Sequence, residues 1–131
     1  MQKKEFYSQL GRLLFAVANA DDRIPPEERE TLHKLVREQL VSREKATDVF
    51  GSNLAYYTEI EFDYLDSEEA DAESSLLAFI DFIKDHRTAF DDSLQALSLY
   101  VVEQLAASFH GINKKEKKLI AELKDLLQTL R

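Results

Sequence analysis

The chain has 131 residues, a formal net charge of −8 and no cysteine. Its length is that of one domain, with enough residues for one hydrophobic core. The lack of cysteine excludes disulfides, thiolate nucleophiles and cysteine-based zinc or iron–sulfur sites. An acidic chain is poorly suited to the phosphate backbone of nucleic acids, so we expect no nucleic-acid partner.

The first 40 residues predict two amphipathic helices. Residues 3–19 carry apolar side chains at three- and four-residue spacing, as a buried helical face requires: Phe6, Leu10, Leu13, Leu14 and Val17. A second helix is predicted to begin at Pro26, because the N–H that proline lacks is not needed in a first helical turn. Glu27 and Glu28 then suit the positive end of the helix dipole.

The most apolar early segment, Leu10 to Ala20, is interrupted by Gly11, Arg12 and Asn19. It is too short and too polar for a signal peptide or a membrane span. We therefore expect a cytoplasmic protein with no membrane partner.

The middle of the chain is harder to interpret. Ser42 is predicted to cap a short third helix that ends at Gly51. Beyond it, Ile60, Phe62 and Tyr64 alternate with acidic residues, which is a strand-like period. A lone strand is unstable, so residues 52–66 are predicted to be an extended connector or an irregular helix.

Three further helices are predicted in the second half. Asp66-Ser67-Glu68-Glu69 has the pattern of a capping box and predicts a helix start. Asp91 or Asp92 is predicted to cap the next helix, and Asn113 with Glu116 to open the last. The chain is thus predicted to be one all-α domain, a bundle of about six helices spanning residues 1–131.

The two ends of the chain echo each other. Residues 18–28 join two predicted helices, and residues 107–116 do so again, with Ile24 matching Ile112 and Glu28 matching Glu116. The first segment, from Ala18 through Asp21-Asp22-Arg23-Ile24 to Glu28, resembles the TerB-like family, named for a tellurite-resistance protein. That family's pattern is roughly Ala-Asp-Gly-x-Ile/Val-x-x-x-Glu, and it is often present twice.

The resemblance covers the first 40 residues well and the last 40 in outline. It implies a multihelical domain with two helix–loop–helix units, whose acidic loop residues hold a divalent cation, and a link to stress response. The chain departs from the family pattern twice. Asp22 stands where glycine is usual, and His110 stands where the second acid is expected.

The residues themselves also indicate a possible cation site. Four carboxylates lie within eight residues around a helix start, and oxygen-rich clusters suit calcium or magnesium. Histidine from the second loop shifts the preference toward zinc or manganese. The alternative is that the aspartates end one helix while the glutamates stabilise the next through its dipole. The candidate ligands are Asp21, Asp22, Glu27, Glu28, His110 and Glu116.

Other catalytic patterns are weak. Glu30 and His33 have the Glu-x-x-His spacing of di-metal bundles, but the chain has no second copy, so His33 is interpreted as a boundary or surface residue. No phosphate-binding glycine loop and no nucleophile elbow occur. We expect a binding or regulatory module and no enzymatic activity.

A second hypothesis concerns residues 59–73, which hold eight acids in fifteen residues. They are interpreted either as a solvated connector with aromatic side chains in the core, or as a metal-independent docking surface for a basic protein partner. The sequence leaves the oligomeric state open. The docking residues would be Glu59, Glu61, Phe62, Asp63 and Tyr64.

Overall fold

The computed structural model describes residues 1–20, 24, 26–107 and 114–129, except for the side chain of Glu116. Within those ranges the chain is a bundle of six α-helices with one π-helical segment, which confirms the predicted all-α class. In the same ranges, no helix is long and apolar enough to cross a membrane. The helices are α1 (Lys3–Ala18), α2 (Pro26–Leu35), the π-helical segment (Val36–Val41), α3 (Tyr56–Ser67), α4 (Ala72–Asp85), α5 (Asp92–Ala107) and α6 (Lys114–Thr129).

Helix α1 is the centre of the bundle and packs against α3, α4, α5 and α6. Ten of its sixteen residues are buried, because apolar side chains cover nearly its whole circumference. Its start and its apolar spacing confirm the prediction for residues 3–19, and α2 begins at Pro26 as predicted. A row of phenylalanines extends from α1 into the core, with Phe6 on Phe90 and Phe15 on Phe62.

Helices α1 and α3 approach each other closely at Gly11. A Cβ atom at this position would lie 2.5 Å from the carbonyl oxygen of Thr58 and 2.9 Å from the Cβ of Glu61. The buried Thr58 hydroxyl donates a hydrogen bond of 2.8 Å to the carbonyl oxygen of Tyr7. The absence of a side chain at Gly11 therefore sets where α3 lies.

Of the two alternatives predicted for residues 52–66, the extended connector is wrong and the helix is nearer, since α3 begins at Tyr56 and is a regular α-helix rather than an irregular one. Thr58 and Phe62, four residues apart, are buried, whereas Ile60 and Tyr64 are exposed. The three alternating apolar residues therefore do not form one buried face, as they would in a strand. The helical spacing of Thr58 and Phe62 marks the face that contacts α1.

The predicted short helix between Ser42 and Gly51 is wrong. Helix α2 continues instead into the π-helical segment, and the Ser42 hydroxyl donates to the carbonyl oxygen of Glu38 rather than capping a new helix. Residues 42–55, called the connector below, are irregular, with one isolated bridge between Thr47 and Asn53. Polar side chains form hydrogen bonds with the backbone groups of this segment, and these bonds compete with those of a helix.

The predicted capping box at Asp66–Glu69 is also wrong, because α3 continues through Ser67. The N-cap of α4 is Asp71, whose carboxylate accepts a 2.9 Å hydrogen bond from the N–H of Ser74. That bond holds the pKa of Asp71 below its usual value. The prediction for α5 is confirmed, since Asp91 accepts from the N–H of Leu94 at 3.0 Å. The predicted box at Asn113 and Glu116 lies outside the described residues.

Candidate metal centre

Helices α2 and α3 face each other through a row of opposite charges, called the α2–α3 ladder below. Three basic side chains recur every four residues along α2 and the π-helical segment, which places them on one helical face. Three carboxylates of α3 lie opposite, in the reverse chain order. The pairs are Arg29 with Asp66, His33 with Asp63 and Glu59, and Arg37 with Glu59.

The two arginines form the ends of the ladder. Arg29 binds both oxygens of Asp66, with 3.0 Å between its Nη2 and Oδ1 and a shorter bond from its Nε to Oδ2. The hydrogen bond to Asp66 raises the pKa of Arg29 above its ordinary value. Arg37 lies 3.4 Å from Oε1 of Glu59. Both carboxylates therefore have a permanently charged partner.

The central pair contains the one titratable base of the ladder, His33. Its Nε2 lies 2.9 Å from Oδ1 of Asp63, and its Nδ1 lies 3.3 Å from Oε1 of Glu59. A neutral imidazole has one N–H, so it donates to one carboxylate and turns a lone pair toward the other. Both contacts become favourable when the second nitrogen carries a cation, either a proton or a metal ion.

The net charge of the ladder also favours a bound cation. Three carboxylates face two guanidinium groups, so one negative charge remains when His33 is neutral. In addition, Oε2 of Glu59 is buried and has no hydrogen-bond partner in the described part of the chain. A buried carboxylate oxygen without a partner is unfavourable, and a bound cation would remove that penalty.

The distances are close to those of a metal site. One ligand atom each from His33, Glu59 and Asp63 lies within 4.8 Å of the others, the one such group found among the described residues. Ligands bound about 2.1 Å from one ion lie about 3 to 3.5 Å apart. The three side chains must therefore draw together by about 1 Å to hold an ion. His33 and Asp63 are 32% and 46% exposed, which leaves room for water ligands.

Most of the cation ligands predicted from the sequence cannot be placed. Asp21, Asp22 and His110 lie outside the described residues, as does the side chain of Glu116. Glu27 and Glu28 both lie in the first turn of α2, where Glu27 is exposed and Glu28 is buried. Their position agrees with the dipole role offered as the alternative.

The residues predicted to dock a partner fall into three groups. Glu59 and Asp63 belong to the α2–α3 ladder, and Glu61 pairs with an arginine of α1 at 3.1 Å. Phe62 is fully buried in the core, so it offers no surface to a partner in this structure. Tyr64 is exposed.

The sequence did not lead us to His33 as a candidate ligand, although a signal was present. A di-metal bundle requires two Glu-x-x-His motifs on separate helices and two further glutamates, a pattern that this chain lacks. The four-residue spacing of Arg29, His33 and Arg37, set against that of Glu59 and Asp63, marks two complementary helical faces. Reading residues 56–67 as a helix would have revealed it.

No protein-family model, no curated protein and no solved structure matches this chain. The resemblance to the TerB-like family therefore stays a prediction based on residues 18–28. The chemistry of the site has to be argued from its own residues.

Proposed function

We propose that this chain is a non-enzymatic binding module that holds a divalent transition-metal cation between α2 and α3. Its protein ligands are His33, Glu59 and Asp63. The observation that supports this most is that one ligand atom each from His33, Glu59 and Asp63 lies within 4.8 Å of the others.

The ligand set selects the class of cation. One imidazole nitrogen and two carboxylates suit zinc, manganese or ferrous iron, whereas calcium and magnesium prefer a shell of oxygens only. Zinc exceeds manganese in general affinity for such nitrogen and oxygen sites. We therefore expect zinc to bind more tightly than manganese, and calcium and magnesium to bind far more weakly.

The cation would act as a clamp. His33 belongs to α2, whereas Glu59 and Asp63 belong to α3, so one ion connects two helices that otherwise meet through exposed ion pairs. Exposed ion pairs contribute little to stability. A ligand that binds only the folded state raises the free energy of unfolding with the logarithm of its concentration. Metal loading would thus tighten the α2–α3 contact.

The test is calorimetric titration of zinc, manganese, calcium and magnesium into chelator-treated protein, with thermal melts alongside. We expect saturable zinc binding with one ion per chain and a melt shifted upward. His33→Gln and Asp63→Asn should each weaken zinc binding at least tenfold. The matched controls are His86→Gln, whose ring contacts Phe82 at the end of α4, and Asp81→Asn on the exposed face of α4.

Three outcomes would overturn the proposal. The first is the absence of both heat and melt shift with every ion. The second is zinc binding that survives in His33→Gln and Asp63→Asn. The third is binding lost in an Asp21→Asn, Asp22→Asn double variant but kept in His33→Gln, which would place the ion at the first loop instead.

A second candidate function is the docking of a basic protein on residues 59–73. It is favoured by the exposure of Ile60 and Tyr64, two large side chains among acids. It is weakened by the pairing of Glu59 and Asp63 with basic residues of the chain itself. Titration with a lysine-rich peptide tests it. Equal affinity of the wild type and a Glu68→Lys, Glu69→Lys variant would eliminate it.

A further inference from the structure

One sequence pattern on α2 is not used by the site of His33, Glu59 and Asp63. Glu30 and His33 are three residues apart, the Glu-x-x-His spacing with which helical bundles present a carboxylate and an imidazole to one metal centre. The chain has no second copy of this pattern, which excludes a two-metal site. A site for a single ion needs only one copy.

The fold places Glu30 at the same cavity as His33. Both residues line a cavity of about 440 Å³ beside α2, together with Arg29 and Arg37 of the ladder. Residues three apart on a helix have Cβ atoms about 5 to 6 Å from each other. Because helical side chains lean toward the N-terminus, the His33 ring is directed toward the turn that carries Glu30.

The exposed side of the metal site is the side on which Glu30 lies. The carboxylates of α3 follow the reverse order of the bases of α2, so Asp63 lies nearer the N-terminus of α2 than Glu59 does. Glu30 lies in the same direction from His33. The Asp63 side chain is 46% exposed, whereas that of Glu59 is 14% exposed. A ligand that approaches from the Glu30 side therefore meets no buried wall.

The Glu30 side chain has no other role in the described part of the chain. It is exposed, and within those ranges it has neither a hydrogen bond nor an ion pair. An exposed side chain can move to another staggered rotamer without disturbing the packing of the core. Glu30 is thus able to turn toward an ion at His33.

The formal charges favour Glu30 over other fourth ligands. With Glu30, four carboxylates face two guanidinium groups and one doubly charged ion, so the charges balance. With water in its place, one positive charge remains. The other two charged residues of the cavity, Lys34 and Glu38, cancel each other. An external anion added to Glu30 would bring negative charge that no described group of the cavity balances.

We propose that Glu30 is the fourth protein ligand of the metal site and that it favours zinc over manganese. Four protein ligands close the tetrahedral shell that zinc adopts in structural sites. Manganese prefers six oxygen-rich ligands in an octahedron, so it gains less from this residue. The inference rests on the proposed function of the chain. It makes the ion a clamp with no open position for a substrate.

The test compares Glu30→Gln with Glu38→Gln, since Glu38 is another exposed glutamate of the same cavity. Zinc and manganese are titrated into chelator-treated wild type and into both variants. We expect Glu30→Gln to weaken zinc binding about tenfold or more and manganese binding much less, and Glu38→Gln to change neither. Both variants should fold, because both side chains are exposed, and thermal melts without metal verify this.

Cobalt(II) gives a second readout, because its visible absorption depends on the number and kind of its ligands. Added phosphate should leave the spectrum of the cobalt-loaded wild type unchanged. The same addition should shift the spectrum of Glu30→Gln, where phosphate enters the vacated position.

Two results would overturn the role of Glu30 and leave the site of three ligands in place. One is equal zinc affinity in Glu30→Gln and wild type. The other is a wild-type cobalt spectrum that shifts with phosphate, since an open position would then exist. If the wild type binds no ion at all, the metal site and the role of Glu30 both fail.

Discussion

The connector and the α2–α3 ladder both depend on carboxylates, yet their carboxylates do different work. In the connector, Glu44 and Asp48 accept hydrogen bonds from backbone N–H groups and from tyrosine hydroxyls. In the ladder, Glu59 and Asp63 face charged or titratable side chains, and one oxygen of Glu59 has no partner among the described residues.

This difference shows that the number of acids in a segment says little about its role. What matters is which donors the acids meet. Backbone donors are fixed in number and position, so the connector's carboxylates hold one conformation. The donors of the ladder are side chains, and one oxygen of Glu59 has no hydrogen-bond partner among the described residues, which is why we propose a bound cation there.

The largest expected effect on stability comes from disturbing the position of α3. This helix contacts the connector through Tyr57 and carries Glu59 of the ladder. Gly11→Ala should destabilise the protein by about 2 to 3 kcal/mol, because the new Cβ meets the backbone carbonyl of Thr58, which a rotamer change does not relieve. Urea unfolding measures this. In the control Gly51→Ala, the new Cβ has no heavy atom within 4 Å apart from its chain neighbours. Only the positive φ lowers the stability, by about 1 kcal/mol. Equal loss in both variants would refute the close approach of the helices.

Removing the Asn53 side chain of the connector should have the next largest effect on stability. Asn53→Ala loses two donated hydrogen bonds and one accepted from the N–H of Ala55, and should cost about 2 kcal/mol. Ser52→Ala is the control, since Ser52 bonds to Asp48 through its backbone N–H and carbonyl oxygen, which the substitution keeps. Zinc titration of Asn53→Ala should match that of wild type. A loss of zinc affinity would show that the two regions are not separate.

The carboxylate of Glu44 in the connector should make the stability of the protein depend on pH. Burial alone would raise its pKa, but hydrogen bonds from the Ala46 N–H, the Tyr7 hydroxyl and Lys3, together with the charge of Lys3, lower it below its ordinary value. The unfolded chain therefore binds a proton at higher pH than the folded chain does. Stability from Glu44 is complete above the ordinary glutamate pKa of about 4.3 and declines as pH falls through the lowered folded value.

Urea unfolding between pH 6 and pH 3 measures this contribution. Glu44→Gln should be less stable than wild type near neutral pH, and the gap should narrow as the pH falls. The exposed Glu73→Gln serves as control. A gap that stays constant across this range would contradict the role assigned to Glu44.

The smallest effect is expected at the end of the ladder. Arg29→Ala removes an exposed ion pair with Asp66 and should cost less than about 1 kcal/mol, because solvent screens such pairs. A double-mutant cycle with Asp66→Ala isolates the interaction, and added salt should reduce it. A coupling energy well above that limit would mean that the ladder is a structural element in its own right.

Helical periodicity was enough to predict α1, the position of Pro26 to predict the beginning of α2, and an aspartate to predict the cap of α5. Periodicity failed at the connector and at α3 for two physical reasons. Side-chain hydrogen bonds replaced the helical ones expected between Ser42 and Gly51, because Asp48 accepts from the N–H of Phe50 and Asn53 donates to the carbonyl oxygen of Glu44. Ile60, Phe62 and Tyr64 alternate with acidic residues, but this segment packs on α1 as a helix, which the small side of α1 at Gly11 admits at close range.

The candidate site was predicted only in part. Glu59 and Asp63 were singled out as docking residues, and His33 was interpreted as a boundary or surface residue. Their proximity depends on the register between two helices that are distant in sequence, which no local pattern reports. The four-residue spacing on each helix was visible, but it becomes informative only once both segments are known to be helical.

The π-helical turn after α2 has a consequence for how the length of this chain can vary. A π-helical turn closes hydrogen bonds five residues apart, one more than an α-helical turn, so it takes up one additional residue without breaking the helix. Deleting one residue within Val36–Val41 would return the backbone to the α-helical repeat and leave the residues beyond it on their present faces, whereas the same deletion inside α2 would rotate them by about 100°. Related sequences aligned to this one should therefore show single-residue gaps in Val36–Val41 more often than in α2.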